Sequence, residues 1–296
     1  MRAILVGDMT SPTISLSKHH GLGNDFLVFA DSTAAAALPT EERAALARAT
    51  CDRHRGIGAD GLLFATPAPT DRTADITMVL HNADGSVAEM SGNGIRCFAQ
   101  AVVDSGIVDS GTIRIATGAG LRVVEGECSD ASGLAHFRVD MGAAMVGEIV
   151  IPSEARAAIG ERRSMTIDVG NPHLVVEADR ATFDALDIAV FGAAVEAAFL
   201  TTEFHGINVE VVTQKTRTDL DMVVWERGVG VTQACGTGAV ASALAAYRWD
   251  LVDSTSNVHQ PGGIAGVELR GDHAILIGPS QFICALGFPW PIRDRR

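Results

Sequence analysis

Two short segments of this 296-residue chain share one pattern, and this repetition constrains the fold more than any other feature. The first is Ser91-Gly-Asn-Gly, and the second, 144 positions later, is Cys235-Gly-Thr-Gly. Each runs into an apolar stretch rich in alanine, which favours a helix. Because the spacing is about one domain length, it indicates duplication and two pseudo-equivalent halves, each with the same helix start.

The start of a helix offers unpaired backbone N–H groups and the positive end of the helix dipole. A thiol at this place, Cys235, is a candidate base, and we expect the helix start to favour its thiolate. The same N–H groups could instead hold a substrate carboxylate. Taken alone, a cysteine at such a place is more often structural than catalytic.

Composition excludes several classes of function. The 47% hydrophobic content is enough for a large core, and the net charge of −13 without a basic stripe argues against nucleic acid as a partner. No apolar run reaches the roughly 18 residues of a membrane span, so no membrane partner is expected. The opening segment, residues 1–8, is too short and too soon acidic for a signal peptide, which predicts a cytoplasmic protein.

Cofactors and metals are not expected either. The five cysteines include no C-x-x-C pair, which predicts reduced thiols without a disulfide framework or a zinc site. Only Lys18 and Lys215 are available as the Schiff-base lysine that a pyridoxal phosphate enzyme needs. Residues 236–241 match a dinucleotide-binding fingerprint, but polar Thr232 and Gln233 precede them where a hydrophobic strand is required.

Short strands alternate with turns and a few helices, which predicts a mixed α/β fold. A helix is expected from Thr40 to about Thr50, Ser254–Gly263 is expected to be a loop, and Ala274–Pro279 to be a strand with a turn. A disordered tail is expected for the first twelve residues. The predicted strands are Leu27–Phe29, Ile76–Leu80, Thr112–Ile115, Leu121–Val124, Met165–Val169, Asn208–Val212 and Asp219–Trp225.

Seven motifs that span nearly the whole chain resemble those of the diaminopimelate epimerases, a family of amino acid epimerases that work without pyridoxal phosphate. The motifs are Lys18–Phe26, Arg55–Gly61, Asn82–Ser86 with Ser91–Gly94, Val169–His173, Gly206–Glu210, Glu226–Gly230 and Cys235–Gly238.

The resemblance implies an α/β (α+β) fold of two pseudo-equivalent domains, each a curled, mostly antiparallel sheet around a central helix. The active site would lie in the cleft between them. Residues 1–138 would form the first domain, with the strand 281–296 returning to it, and residues 139–280 the second. The partner would be a small amino acid, and a homodimer is left open.

Cofactor-free epimerisation needs two groups on opposite faces of one carbon, one to remove the α-proton and one to return a proton. The family uses two cysteines, and the matching positions here are Ser91 and Cys235. If each makes a near-attack contact of roughly 3–3.5 Å, the two side chains should face each other about 6–8 Å apart. Backbone amides would stabilise the enediolate that develops at the α-carboxylate, and the resemblance places these at Gly92, Asn93, Gly236 and Thr237.

The resemblance also assigns the remaining binding residues. Those around the distal carboxylate would be Asn82, Asn171, Asn208 and Arg227, and Glu226 would lie near the distal ammonium. Taken singly, these residues would be read as turn formers and a surface ion pair. Asn24 and His173 match positions that line the cleft, and His173 is open to interpretation as a proton carrier or as an orienting, packed histidine.

Two positions depart from the family pattern. Gly61 stands where many relatives have glutamine, and Ser91 replaces a cysteine. Forming an alkoxide at pKa ~15.7 instead of a thiolate at ~8.5 costs on the order of 10 kcal/mol more. Three explanations stay open: an epimerase that relays a proton through water, a one-base isomerase or dehydratase that uses Cys235, and an inactive homologue or engineered variant that only binds the amino acid.

Overall fold

The structure is a computed structural model that describes residues 13–70, 73–126, 129–200, 205–271 and 273–290. The expected tail over the first twelve residues and the expected thiol of Cys128 lie outside these ranges. Within them the other four cysteines are free thiols. None of the helices in the described part of the chain is long and apolar enough to cross a membrane.

The described ranges contain seventeen strands and seven helices. The strands are β1 (Thr13–Gly21), β2 (Asn24–Phe29), β3 (Gly61–Thr66), β4 (Ile76–Asn82), β5 (Val87–Ala88), β6 (Gly111–Thr117), β7 (Gly120–Gly126), β8 (Leu134–Ala143), β9 (Met145–Val146), β10 (Ser164–Asp168), β11 (Pro172–Glu177), β12 (Asn208–Gln214), β13 (Asp219–Glu226), β14 (Gly230–Val231), β15 (Thr255–Gln260), β16 (Gly263–Arg270) and β17 (His273–Pro289). The helices are α1 (Ser32–Ala37), α2 (Thr40–Cys51), α3 (Gly92–Asp104), α4 (Ser153–Ile159), α5 (Arg180–Ala185), α6 (Ile188–Phe199) and α7 (Gly236–Arg248).

In the first half, the strands form a closed ring. Strand β1 is antiparallel to β2, β2 is parallel to β3, and β3 is antiparallel to β4. The ring continues from β4 through parallel β6 to antiparallel β7 and β8. Strand β17 then pairs with both β8 and β1 and closes it.

The second half repeats this order of pairings. Strand β10 is antiparallel to β11, β11 is parallel to β12, and β12 is antiparallel to β13. The series continues through parallel β15 to antiparallel β16 and β17. This repetition confirms the predicted mixed α/β fold of two similar, mostly antiparallel halves.

One helix lies in the centre of each half. Residues 92–103 of α3 and residues 236–246 of α7 are all buried. A helix with protein on all sides needs side chains that are apolar or hydrogen-bonded on every face. Helix α7 is rich in alanine, and the buried Arg96 and Gln100 of α3 are hydrogen-bonded. The two central helices therefore carry the repeated segments into the middle of the molecule.

Strand β17 belongs to both halves. Residues 273–277 pair with β16, residues 273–281 run along β8, and residues 281–289 pair with β1. The predicted domain boundaries, 138/139 and 280/281, fall within β8 and β17 and stay a prediction. Residues 291–296 lie outside the described ranges.

The predicted helix at Thr40 and the predicted strands agree with the structure, but two expectations were wrong. Ser254–Gly263 is not a loop, since Thr255–Gln260 form β15, in which buried Ser256, Val258 and Gln260 alternate with more exposed residues. Their polar composition hid a strand periodicity. The strand at Ala274 does not turn at Pro279 but continues to Pro289.

Candidate active site

Ser91 and Cys235 occupy equivalent backbone positions. Each is the N-cap of its central helix, with φ −140° and ψ 121° for Ser91 and φ −123° and ψ 119° for Cys235. The Ser91 Oγ accepts the Gly94 N–H at 3.0 Å, and the Cys235 Sγ accepts the Gly238 N–H at 3.3 Å. The glycines of the repeated pattern thus allow each reactive side chain to fold over its own helix start.

The two helix starts touch each other. A Cβ added to Gly92 would lie 2.9 Å from the Gly236 Cα, and a Cβ added to Gly236 would lie 2.8 Å from the Gly92 Cα. No side chain fits at either position without displacing the backbone of the other half. The structure therefore brings the N–H groups of both helix starts to one place.

Asn93 connects the two halves directly. Its Nδ2 donates to the Ala234 carbonyl at 2.9 Å, immediately before Cys235, and to the Asn24 Oδ1 at 3.3 Å. The Asn24 Nδ2 in turn donates to the Asp60 Oδ2 at 2.6 Å. Asn24 and Asn93 are therefore fixed by protein contacts at the place where the two helix starts meet, which we call the junction.

A chain of polar contacts leads from Cys235 into the second half. The Cys235 Sγ lies 3.4 Å from the Thr237 Oγ1, which accepts from the Asn171 Nδ2 at 3.4 Å. The Asn171 Oδ1 lies 3.0 Å from the His173 Nε2, and the His173 Nδ1 lies 2.7 Å from the Glu210 Oε1. His173 and Glu210 are fully buried, so this histidine is packed and oriented within the site.

The charges around Cys235 oppose a thiolate. Burial raises the pKa of Cys235 well above its usual range, and the carboxylates of Glu226 and Glu210 raise it further. The Thr237 hydroxyl and the Gly238 N–H lower that pKa, but they do not outweigh burial. The expectation that the helix start holds a thiolate was wrong for the free protein, since Cys235 is a neutral thiol there.

Glu226 has a carboxyl group with a raised pKa. Burial raises its pKa to about 7, although the Thr232 hydroxyl donates to its Oε1 at 2.5 Å and acts in the opposite direction. After burial, the Glu226 carboxylate is the largest cause of the raised Cys235 pKa, so a charged Glu226 disfavours a Cys235 thiolate. Glu226 and Cys235 therefore form a pair that carries at most one negative charge near neutral pH.

Asn208 and Arg227 lie together at the edge of the second half. The Asn208 Oδ1 accepts the Arg227 N–H at 2.9 Å, and the Asn208 Nδ2 donates to the Pro172 carbonyl at 2.9 Å. The Arg227 Nη2 lies 3.7 Å from the Glu89 Oε2 of the first half, two residues before Ser91. Arg227 therefore reaches across the junction towards the start of α3.

Asn82 lies on the first-half side of the site. Its Nδ2 donates to the Ser86 Oγ at 3.0 Å within its own turn. Gly61 is its partner in the β3 and β4 pairing. A Cβ on Gly61 would lie 2.9 Å from the His81 carbonyl, so a glutamine side chain here would require the backbone to shift.

Other thiols do not substitute for the missing one. Cys97 is fully buried within α3, and burial raises its pKa to about 11. Across the described ranges, no cluster of three or more His, Cys, Asp and Glu side chains is arranged to hold a metal ion. At this junction, the Cys235 thiol and the Glu226 carboxyl both have raised pKa values.

Sequence reasoning missed several residues of this site. Glu210 was detectable, because it lies two positions after Asn208 on a strand and so on the same face. Arg96, which lies behind the α3 start, was signalled only by a charge in an otherwise apolar helix. Asp60 and Glu89 had no signal of their own, since their contacts join segments that are distant in sequence.

Known proteins resemble this chain over most of its length. The sequence profile of the family described as "Diaminopimelate epimerase" matches residues 16–146 and 165–283. The diaminopimelate epimerase of Methanothermobacter thermautotrophicus is 38% identical over 269 residues, which cover 88% of this chain and 91% of that protein. That of Corynebacterium glutamicum strain ATCC 13032 is 38% identical over 285 residues, which cover 93% and 98%.

Solved structures share the fold at much lower identity. A hydroxyproline epimerase from Agrobacterium vitis, with bound trans-4-hydroxy-L-proline, superposes with a TM-score of 0.73 at 17% identity, covering 95% of this chain and 92% of that one. A phenazine biosynthesis protein of the PhzF family from Bacillus anthracis superposes with a TM-score of 0.69 at 14% identity, covering 94% and 99%.

Proposed function

Because the chain belongs to the diaminopimelate epimerase family, we propose that it interconverts LL- and meso-diaminopimelate by moving the α-proton between the Cys235 and Ser91 sides of the junction. The contact between the Gly92 and Gly236 helix starts is the observation that carries this proposal. It puts one N-cap side chain from each half beside a shared set of backbone donors. These donors would hold the α-carboxylate and the enediolate that develops from it.

The resting protonation state sets the role of Cys235 in each direction. When the Ser91 side removes the α-proton, the neutral Cys235 thiol returns a proton to the α-carbon from the opposite face. To accept one, it must first lose its own, and Glu226 with a pKa of about 7 is the acceptor that we propose. Electrostatic coupling between the two acids supports this assignment, because loss of the Glu226 charge makes the thiolate less costly.

The distal carboxylate and ammonium of diaminopimelate need protein groups of opposite charge. We propose that Arg227, Asn208, Asn171 and Asn82 receive the distal carboxylate, with Glu226 near the distal ammonium as a second role. A substrate carboxylate would replace the loose contact of Arg227 with Glu89 by a closer, charge-assisted hydrogen bond. Asn24 and His173 would line the same cleft, as their contacts with Asn93 and Asn171 suggest.

The test follows the α-proton in deuterium oxide. Incubation with LL-diaminopimelate should give both α-proton exchange and the meso isomer. Exchange without inversion would indicate a one-base site, and loss of ammonia or water would indicate a lyase. Binding without either signal would indicate an inactive homologue.

Two variants make this test specific to the site. Cys235→Ala should abolish exchange and retain the circular dichroism spectrum, because Cys235 is the proposed proton carrier. Cys97→Ala is the control, since that thiol lies within α3 and away from the junction. Exchange near the unmodified rate in Cys235→Ala would rule out the proposed role.

The compartment and assembly are part of the proposal. The cytoplasm suits an enzyme that needs Cys235 reduced. A homodimer stays a prediction, and sedimentation velocity would measure it.

A further inference from the structure

Arg96 is a guanidinium buried directly behind the start of α3. Its side chain is 0% exposed. Its Nη1 donates to the Gly92 carbonyl at 2.9 Å, its Nη2 to the Asn93 Oδ1 at 2.6 Å, and its Nε to the Pro279 carbonyl at 3.1 Å. Within the described ranges these acceptors are all neutral oxygens.

The surrounding backbone makes room for this side chain. A Cβ on Gly278 would lie 3.1 Å from the Arg96 Cζ, and a Cβ on Gly21 would lie 3.2 Å from its Nη2. Burial lowers the pKa of Arg96 to about 10, so the group stays charged near neutral pH. A buried cation paired only with neutral oxygens is costly, which favours a role beyond packing.

The contact with Asn93 gives this cation an effect on the opposite half. A carboxamide can place either its oxygen or its nitrogen on a given side. Donation from Arg96 favours the Asn93 oxygen on the α3 side, which leaves the Asn93 Nδ2 to donate to the Ala234 carbonyl. Arg96 thereby fixes a hydrogen bond to the residue before Cys235, although its own donors contact other residues.

The second half has no buried guanidinium at the equivalent position. The position equivalent to Arg96 in the repeated segment is Val240. The charges near that helix start are the carboxylates of Glu210 and Glu226, which raise the Cys235 pKa. The second helix start therefore has no guanidinium at the position that Arg96 occupies in the first.

We propose that Arg96 is a positioning residue that, through Asn93, holds the start of α3 in register with the turn before Cys235. Its importance for turnover rests on the proposed epimerase function. Its effect on the two turns does not, because the hydrogen bonds that carry it are internal to the protein.

Amide hydrogen exchange in the full chain tests the coupling. Arg96→Met should speed exchange of the amides of residues 234–238 about tenfold, as expected for loss of roughly one hydrogen bond. Asn93→Ala should give the same change, and the double variant should add nothing to it, because both substitutions break one path. Unchanged exchange at 234–238 in Arg96→Met, or effects that add in the double variant, would overturn the proposal.

Steady-state kinetics distinguish a positioning role of Arg96 in turnover from a role in folding stability alone. Arg96→Met should lower kcat at least tenfold with a smaller change in KM, and Arg96→Lys should recover part of kcat, because it restores the cation but not all three donor directions. Equal kcat in all three proteins would contradict a positioning role. If the unmodified protein shows no exchange of the substrate α-proton, the proposed function fails, and amide exchange still decides the role of Arg96.

A matched control and a second variant keep the test decisive. Arg43→Met removes another guanidinium that donates to a backbone carbonyl, that of Ala35, far from the junction. It should leave exchange at 234–238 unchanged. If Arg96→Met does not fold, the cycle is run with Arg96→Lys and Asn93→Ala, and the same two outcomes apply.

Discussion

Ser91 and Cys235 show how far two equivalent residues can differ in chemistry. Their backbone angles and helix-start contacts match, but one ends in a hydroxyl and the other in a thiol whose pKa is raised by burial and by two carboxylates. Pseudosymmetry of the backbone therefore does not imply symmetry of proton transfer. We expect the Ser91 side to limit the rate.

Ser91→Cys should raise the epimerisation rate by orders of magnitude and leave substrate affinity nearly unchanged. A thiol with a pKa near ~8.5 replaces a hydroxyl near ~15.7, and each ~1.36 kcal/mol removed from the barrier is about tenfold in rate. Steady-state kinetics in both directions measure the effect. The control is Ser105→Cys, an exposed position at the end of the same helix. No gain in an active protein would favour a relay tuned to the hydroxyl.

Glu226 should make stability depend on pH. Its folded pKa of about 7 lies above its ordinary 4.5, so the folded state binds more protons between these values. Stability relative to Glu226→Gln should then fall by about 3 kcal/mol as the pH rises from 4.5 to about 8. Urea unfolding at the two pH values measures this, with Glu161→Gln as an exposed control. A constant difference would show that Glu226 titrates normally.

At the scale of single residues, the sequence predicted the helix starts at Ser91 and Cys235 but not the charge state of the thiol. A helix start normally lowers a thiol pKa, and this general tendency predicted a thiolate at Cys235. Burial and Glu210 reversed it, because Glu210 arrives from β12, a separate element. Local sequence cannot report a charge that tertiary packing brings near.

At the scale of elements, the turn after β13 carries the predicted distal recognition. Glu226 ends this strand, and the next residue, Arg227, is held by Asn208 through its backbone N–H. The side chain of Arg227 lies 3.7 Å from the Glu89 carboxylate, measured from Nη2 to Oε2. The element therefore presents an acid and a base on adjacent residues, as a second amino acid group would require.

Arg227→Leu should weaken binding of diaminopimelate by about 2 kcal/mol, roughly thirtyfold, because a charged hydrogen bond to the distal carboxylate is lost. Binding of alanine or lysine, which lack that carboxylate, should change much less. Isothermal titration of each ligand measures the difference. Arg217→Leu removes an arginine paired with Asp253 elsewhere and serves as the control. Equal losses for all ligands would mean that Arg227 is structural.

The strands also show where prediction of secondary structure from sequence pattern fails. Apolar strands such as β4 were predictable, because the alternation of inward and outward residues is visible in the order of their amino acids. Strand β15 was not, because its inward residues include Ser256 and Gln260, and Gln260 serves the site by accepting the Cys235 N–H at 2.7 Å. Strand β17 hid its length, because a glycine and a proline at 278–279 suggest a turn. In the structure Gly278 leaves space for Arg96 instead.

At the scale of the whole molecule, the two halves share structure and do not merely touch. Strand β17 pairs with β1 and β8 of the first half and with β16 of the second. The two helix starts also meet at their glycines. We therefore expect the halves to unfold as one cooperative unit.

Tryptophan fluorescence tests this cooperativity. Trp290 packs in the first half, and Trp225 and Trp249 lie in the second. Trp290→Phe therefore reports the second half, and the Trp225→Phe, Trp249→Phe double variant reports the first. Because the substitutions shift stability themselves, each variant is also followed by far-ultraviolet circular dichroism. Coincident urea transitions by both probes in each variant are expected, and two separated transitions would show independent halves.

Strand β17 also has a consequence for synthesis on the ribosome. Domains usually fold in order as they emerge, with the N-terminal one first. Here Thr13 pairs with Pro289, so the first ring cannot close until the strands of the second half have been made. The early half must wait with an open sheet edge, which is the kind of surface that nascent chains expose to chaperones and to aggregation. The half that is made first is therefore completed only after the second half has been synthesised.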